Sequence, residues 1–309
     1  MKKIMLILAA ALLAWGAAAQ PGGGPGGNAG RPQGGRPGGM PQGQGMFRQM
    51  TPPTGDNFEM KEIHVQSAGN DIYGEAYIPK APGKHPAVIL SHGYGGSHTG
   101  FYSMIPALVA EGYVCYCYDF AGGGRGGSKS TGKTTDMSIF TERQNLIDVL
   151  NAVRSWDSVD PSRVFLLGES QGGCVSAITA PKVQDKIRAI LLIYPALCIP
   201  DDGRALYPTV ADIPETVNFM GMEIGKTYYE GVVDPSYDIY ADILPYDKDV
   251  LIVHGTNDSL VKPEYSAKAS NVYKNCEMHL IFGAGHGFNT PEQQALYHQY
   301  VLDFLKKEM

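Results

Sequence analysis

A chain of 309 residues, 43% hydrophobic, can form one large domain or two small ones, and a net charge of −6 without any Lys/Arg-rich run argues against a nucleic-acid partner. Its five cysteines are an odd number, so at least one is unpaired, and no Cys-x-x-Cys occurs. Cys115 and Cys117 lie two apart in an apolar run, on one face of a strand, which suits small buried side chains better than a metal clip. Neither a structural metal nor an obligatory disulfide is expected.

The first residues read as a leader. Lys2-Lys3, the apolar run Ile4 to Leu13 and the small residues Ala17-Ala18-Ala19 predict a signal peptide over 1–19, cut after Ala19. The apolar run is short for a span of about 20 residues, and no Cys follows for a lipid anchor. The mature chain is therefore expected to be secreted or periplasmic, with no stable membrane span. Residues 20–54 are mainly Gly, Pro, Gln and Arg, with almost nothing to bury, and predict a flexible linker.

From 55 to 309 the pattern is that of one domain. Glu62 to Ser67 and Ile72 to Ile78 predict two strands joined at Ala68-Gly69-Asn70-Asp71, and Pro79 to Pro86 a loop. Ala87 to Leu90 is a continuous apolar run, as in a strand covered on both faces. Phe101, Ile105 and Leu108 recur at helical spacing and Gly112 stops that helix. Tyr113 to Tyr118 is a strand, Phe120 to Lys133 a Gly-rich loop, and a long helix capped by Asp136 or Ser138 carries Leu146, Leu150 and Val153. Val164 to Leu167 and Ile187 to Tyr194 are strands flanking a helix of small residues. Residues 195–247, with six prolines and no clean period, read as an insertion. Strands at 250–253 and 279–282 follow, with a helix over 264–272 between them and a closing helix entered at Thr290-Pro291-Glu292. This alternation predicts an α/β fold: a mostly parallel central sheet with helices on both faces.

Gly168-Glu169-Ser170-Gln171-Gly172 lies between the strand at 164–167 and the following helix. A serine in a tight Gly-x-Ser-x-Gly turn is the nucleophile elbow of the α/β-hydrolases, and that fold requires an acid and then a histidine at later strand ends. His254-Gly255-Thr256-Asn257-Asp258 and Gly283-Ala284-Gly285-His286-Gly287-Phe288 follow the next two strands in that order. Ser170 is thus the expected nucleophile, His286 its base and Asp258 the group that orients the imidazole. The expected oxyanion hole is the backbone N–H of Gln171 and that of Tyr94, in the loop His92-Gly93-Tyr94-Gly95-Gly96. Asp242, Asp247 and Asp249 compete with Asp258. His92, His254, Glu169, Asp119 and Cys174 are read as structural.

These four motifs, with Gly-Ser-Lys-Ser-Thr-Gly-Lys at 127–133, resemble the bacterial cinnamoyl (feruloyl) esterases of the α/β-hydrolase superfamily, from about residue 60 to the C-terminus. The resemblance implies hydrolysis of hydroxycinnamoyl esters of plant cell-wall polysaccharide without a cofactor. It also implies that 195–247, inserted after the sixth core strand, forms a small lid whose polar side chains hold the phenolic hydroxyl. Asp201 and Asp202 stand near where the family places such a residue. Tyr207 and Tyr228 suit an aromatic acyl group by stacking, though core packing of these tyrosines is at least as good a reading. The same machinery serves an acetyl-xylan or other short-acyl esterase, a thioesterase or a serine exopeptidase. A non-catalytic binding protein on the same fold is the remaining alternative.

Overall fold

The computed structural model describes residues 51–309, so the leader expected over 1–19 and most of the linker expected over 20–54 lie outside the described residues. β1 (Phe58–Ser67) and β2 (Asn70–Pro79) form an antiparallel hairpin. The turn is tighter than the tetrad expected: Ala68 and Gly69 alone connect the strands, both at positive φ, 48° and 83°, as a two-residue hairpin turn requires.

The sheet continues with β3 (His85–Ser91), β4 (Val114–Tyr118), β5 (Val159–Glu169) and β6 (Ala189–Ile193). Past residue 215 come a small hairpin of β7 (Thr216–Phe219) and β8 (Met222–Gly225), then β9 (Asp249–Gly255) and β10 (Asn275–Ile281). The main sheet has the order β1-β2-β4-β3-β5-β6-β9-β10, with β2 antiparallel to both its neighbours, β1 and β4, and every pairing from β4 to β10 parallel.

Strand residues alternate between two cores. Val114, Tyr116 and Tyr118 of β4 face one cluster, and Cys115 and Cys117 face the other. The first cluster is covered by α2 (Ile139–Arg154), α3 (Gln171–Val183) and α7 (Pro263–Val272), the second by α1 (Ile105–Ala110) and α8 (Pro291–Lys307). All five cysteines are free, four of them buried.

Several boundaries differ from the sequence expectation: β1 starts at Phe58, four residues before Glu62, and Phe101 lies in a 3-10 turn ahead of α1. β3 begins at His85 and runs through Pro86, where the register to β5 shifts; a proline without an N–H is tolerated at such an irregularity. β5 starts at Val159, so Asp160-Pro161 lies inside its extended entry. β10 starts four residues before His279, and Phe282 lies past its end, 90% exposed. β10 is an edge strand with polar residues on its outer side, so it lacks the continuous apolar run that marks the central strands. The long helix is capped by Ser138, which forms a capping box with Thr141; Asp136, the other candidate, ends a 3-10 turn.

The insertion is a set of short elements: α4 (Ile199–Leu206), a 3-10 turn, the β7–β8 hairpin, α5 (Thr227–Val233) and α6 (Ile239–Ile243). Among the described residues no helix is long and apolar enough to cross a membrane.

Candidate active site

The C-terminal ends of β3, β5, β6, β9 and β10 point to one edge of the sheet, and the loops leaving them assemble the site. Ser170 stands between β5 and α3 with φ 53° and ψ −117°, a backbone conformation that costs about 1–3 kcal/mol and persists only when surroundings enforce it. They do so here. Ser170 N–H donates to the Ile193 carbonyl (2.9 Å), and its own carbonyl accepts from Cys174 (3.0 Å) and Ala196 (2.9 Å). The flanking glycines are required by space: a Cβ on Gly168 would overlap the Gly172 carbonyl, and one on Gly172 the Ser91 carbonyl.

Ser170 Oγ is 3.0 Å from His286 Nε2, and His286 Nδ1 is 2.7 Å from Asp258 Oδ2. Because a carboxylate only accepts, Nδ1 carries the proton and Nε2 is free to accept from the serine. Asp258 Oδ1 accepts from the N–H groups of Leu260 (3.0 Å) and Val261 (2.9 Å). Burial alone would raise the Asp258 pKa, but hydrogen bonds from His254, His286 and Val261 hold it well below the usual carboxylate range. Asp258 is therefore ionised throughout neutral pH. The rival Asp242 pairs with Lys182 (3.0 Å) and Arg143 (3.7 Å) instead, and Asp249 opens β9 at the opposite end from Asp258.

Two side chains stand beside this relay, and of these Tyr194 was not singled out by sequence. Tyr194, at φ 36°, lays its ring 4.6 Å from that of His286. His254, expected to be merely structural, places Nε2 3.2 Å from Asp258 Oδ2 and 2.9 Å from the Val261 carbonyl, while Nδ1 accepts from Ser266 (2.7 Å). It steadies the acid loop. Its place four residues before Asp258 was the available signal.

The 92–96 loop runs against the nucleophile: a Cβ on Gly93 would lie 3.0 Å from Ser170 Cβ and 3.6 Å from its Oγ. The backbone N–H groups of Tyr94 and Gln171 donate to no acceptor within the described residues. His92 fixes the loop from behind, Nδ1–H donating to the Gly93 carbonyl (2.8 Å) and Nε2 accepting from Phe120 N–H (3.1 Å). Burial pushes its pKa down, consistent with a neutral buttress.

The insertion residues fall in two places. Tyr228 is buried near the elbow and donates to the Gln171 side chain (2.7 Å), while Tyr207 packs edge-on to Tyr229 at 5.1 Å. Asp201 and Asp202 are exposed in the first turn of α4, Asp201 3.8 Å from Arg204. Neither aspartate forms a hydrogen bond with the Ser170 relay. α4 turns them outward because its apolar residues Ile199, Pro200 and Gly203 take the inner side.

Glu169 faces away from the serine, accepting from Tyr297 (3.0 Å) beside a cavity of about 110 Å³ that Tyr194, Gly287 and Gln294 also line. Asp119 ties down the Gly-rich loop: Oδ1 accepts from His98 Nδ1 (2.8 Å) and Oδ2 from Lys129 N–H (2.8 Å). His98 Nε2 faces Glu75 at 3.4 Å, so both ring nitrogens meet carboxylates and the ring is an imidazolium. Burial would lower its pKa, but these carboxylates push it up to about 9; burial would raise Glu75, yet His98, Tyr77 and Tyr102 bring it down to about 2.

A pH profile of stability follows. A histidine held above its ordinary 6.5 stabilises fully below that pH and loses the contribution as pH rises through about 9; Glu75 contributes above 4.5 and loses it as pH falls through about 2. The contribution of this pair to the melting temperature should therefore be largest between about pH 4.5 and 6.5 and decline toward both extremes. A flat midpoint from pH 6 to about 9.5 would exclude a charged His98.

Among the described residues no cluster of three His, Cys, Asp or Glu side chains could hold a metal ion. A family model described as the alpha/beta hydrolase fold matches residues 86–219. The structure of Est1E from Butyrivibrio proteoclasticus with ferulic acid bound superposes with a TM-score of 0.72, at 26% identity, covering 80% of this chain and 98% of that one. The chain has the α/β-hydrolase fold. Its resemblance is to the bacterial feruloyl esterases. The chain is also 26% identical over 208 residues to the uncharacterized protein YfhR of Escherichia coli O157:H7, covering 64% of this chain and 63% of that one. That match spans less than two thirds of the relative's length. Over 153 residues the chain is 29% identical to Esterase EstD of Thermotoga maritima, covering 45% of this chain and 33% of that one.

Proposed function

We propose that this chain is a serine carboxylester hydrolase. The observation that carries the reading is the hydrogen-bonded relay from Ser170 through His286 to Asp258, at 3.0 and 2.7 Å, on a serine held in the strained elbow conformation. Ser170 Oγ attacks the ester carbonyl as His286 Nε2 takes its proton, and Asp258 stabilises the imidazolium. The carbonyl oxygen becomes an oxyanion that accepts from the Tyr94 and Gln171 N–H groups, each of which is worth roughly 3 kcal/mol of barrier. His286 returns the proton to the departing alcohol. A water, deprotonated by the same nitrogen, then releases the acid and restores Ser170.

The proposed substrate class is hydroxycinnamoyl esters of plant cell-wall polysaccharide, supported by the likeness to Est1E, whose structure holds ferulic acid. The reading of residues 1–19 as a signal peptide adds the proposal that the reaction occurs outside the cytoplasm. A second reading, a short-acyl esterase, has its own support. The insertion's aromatic rings pack on one another and on Tyr94, with Phe219 at 5.1 Å from Tyr94 and Tyr228 at 4.8 Å from Tyr229.

Steady-state kinetics on methyl ferulate and p-nitrophenyl acetate, with fluorophosphonate labelling of Ser170, tests both levels. Labelling at Ser170 and comparable or higher kcat/KM on the ferulate are expected. No labelling overturns the serine hydrolase. An acetyl preference of about a hundredfold (roughly 2.7 kcal/mol) overturns the feruloyl assignment alone.

A further inference from the structure

Behind the Gln171 N–H lies a polar chain that the reaction scheme does not use. The Gln171 side chain turns into the core, where Nε2 donates to Glu142 Oε2 at 2.8 Å and Oε1 accepts from the Tyr228 hydroxyl at 2.7 Å. Three elements meet there: Glu142 comes from the first turn of α2, Gln171 opens α3, and Tyr228 comes from α5 of the insertion. All three residues are buried, at 1%, 2% and 4% exposure.

Glu142 is the anomaly. It sits on the apolar stripe of α2 among Ile139, Leu146, Val149 and Val153, without any cation, and among the described residues the Gln171 amide is the side chain that donates to it. Burying a carboxyl in this way is costly whenever the group ionises, and a leucine would fill the stripe. What a leucine cannot do is hold the Gln171 amide. With one end of that amide held by α2 and the other by the insertion, the first residue of α3 has little freedom to rotate. Its backbone N–H must lie about 2.7–3.1 Å from the oxyanion to work. A misplacement of about 1 Å costs on the order of a hundredfold in rate.

We propose that Glu142 and Tyr228 are positioning residues for the oxyanion hole: they grip the Gln171 side chain from both ends, fixing its backbone N–H and making that donor depend on how the 195–247 insertion is seated. The inference rests on the serine hydrolase reading above. It makes the insertion part of the catalytic geometry, in addition to any contact with the acyl group.

A pH consequence follows from the same geometry. Burial pushes the Glu142 carboxyl up to about 8, so it is neutral at pH 7 and ionises above. A carboxylate there places negative charge behind the group meant to stabilise an oxyanion, and kcat should fall on the alkaline side. The other titratable groups facing Glu142 are Tyr118 of β4, Cys174 of α3, Tyr228 of α5 and Tyr94 of the 92–96 loop. Burial raises each of them, Tyr94 to about 12, so all stay neutral through the range. His92, across Gly123, is held neutral by its lowered pKa.

The test measures kcat, KM and melting temperature for the mature wild type and for Glu142→Ala, Glu142→Gln and Tyr228→Phe, on p-nitrophenyl acetate from about pH 6 to 9.5. Glu142→Ala is expected to lose about 10–100-fold in kcat with KM within about twofold, and Tyr228→Phe about 5–10-fold. Glu142→Gln, neutral and of the same shape, is expected to recover most of the Glu142→Ala loss and to lack the alkaline decline seen in the wild type. The proposal fails if folded Glu142→Ala and Tyr228→Phe keep wild-type kcat, or if the alkaline decline persists in Glu142→Gln. Should Glu142→Ala not fold, Glu142→Gln and Tyr228→Phe still decide it. If Ser170→Ala abolishes turnover while these variants do not reduce it, the positioning role alone is wrong; if Ser170→Ala turns over normally, the underlying reaction is wrong.

Discussion

Replacing Ser170 with alanine is expected to lower kcat on methyl ferulate and p-nitrophenyl acetate by about a million-fold, leaving KM within roughly threefold. The size of the effect comes from losing the covalent route altogether, since no acyl-enzyme can form without Oγ. The residue of activity, about 10³–10⁴ over water, is what two oxyanion donors and substrate binding supply by themselves. The fold should be indifferent. The hydrogen bonds that shape the elbow are made by the Ser170 backbone, to Ile193, Cys174 and Ala196, and the side chain contributes only the bond to His286. Alanine keeps the Cβ that faces Gly93 and leaves the positive φ of 53° as it is. Circular dichroism and a melting temperature within about 2 °C of wild type would separate lost chemistry from lost structure. Unchanged turnover in a folded Ser170→Ala protein would remove the serine mechanism entirely.

The parts of this site that were legible in the sequence are those whose physics is local. A buried parallel strand must be apolar on both faces, so β3, β5, β6 and β9 announce themselves as short runs such as Val88-Ile89-Leu90 and Leu251-Ile252-Val253. A loop at the end of such a strand can then be searched for Ser or Asp, and Ser170 and Asp258 emerged in that way; His286 came from the Gly-rich loop 283–288 and from the order Ser, Asp, His. β10 was misplaced because an edge strand buries less and mixes polar with apolar residues. The insertion was opaque for a different reason: helices of five to eight residues, such as α6 and α4, are too short for periodicity to build up. Its path decides that Tyr228 reaches Gln171, 57 positions away, and that Asp201 and Asp202 turn outward. Neither outcome follows from any local pattern. Glu142 is the intermediate case. It stands three residues after Ile139 and four before Leu146, on the buried stripe of an amphipathic helix. An acid at that position is a visible signal, but its partner can be named only once α2 and α3 are packed together.

Asp258→Asn is expected to cost about 10⁴ in kcat/KM while preserving the fold, a loss set by tautomer and not by removal of a reacting atom. The wild-type carboxylate is acceptor-only on both oxygens: Oδ1 takes the N–H groups of Leu260 and Val261, and Oδ2 takes His286 Nδ1–H with His254 Nε2 at 3.2 Å. An asparagine amide has one accepting and one donating end. With its oxygen toward Leu260 and Val261, the NH₂ group faces His286 Nδ1, which must then give up its proton and accept. The proton moves to Nε2, where it blocks the nitrogen that should receive the proton of Ser170. With the amide reversed, the NH₂ faces the two backbone N–H groups, leaving two buried donors without an acceptor at a cost of about 1–3 kcal/mol each. The first orientation is the lesser penalty, so the variant should fold, bind substrate with KM little changed, and react slowly. Two readouts distinguish this from general damage. Fluorophosphonate labelling of Ser170 should slow by a factor similar to that in kcat/KM. Residual hydrolysis should rise with pH, because hydroxide can remove the serine proton when His286 cannot. A loss of less than about tenfold in the folded variant would show that Asp258 does not set the His286 tautomer.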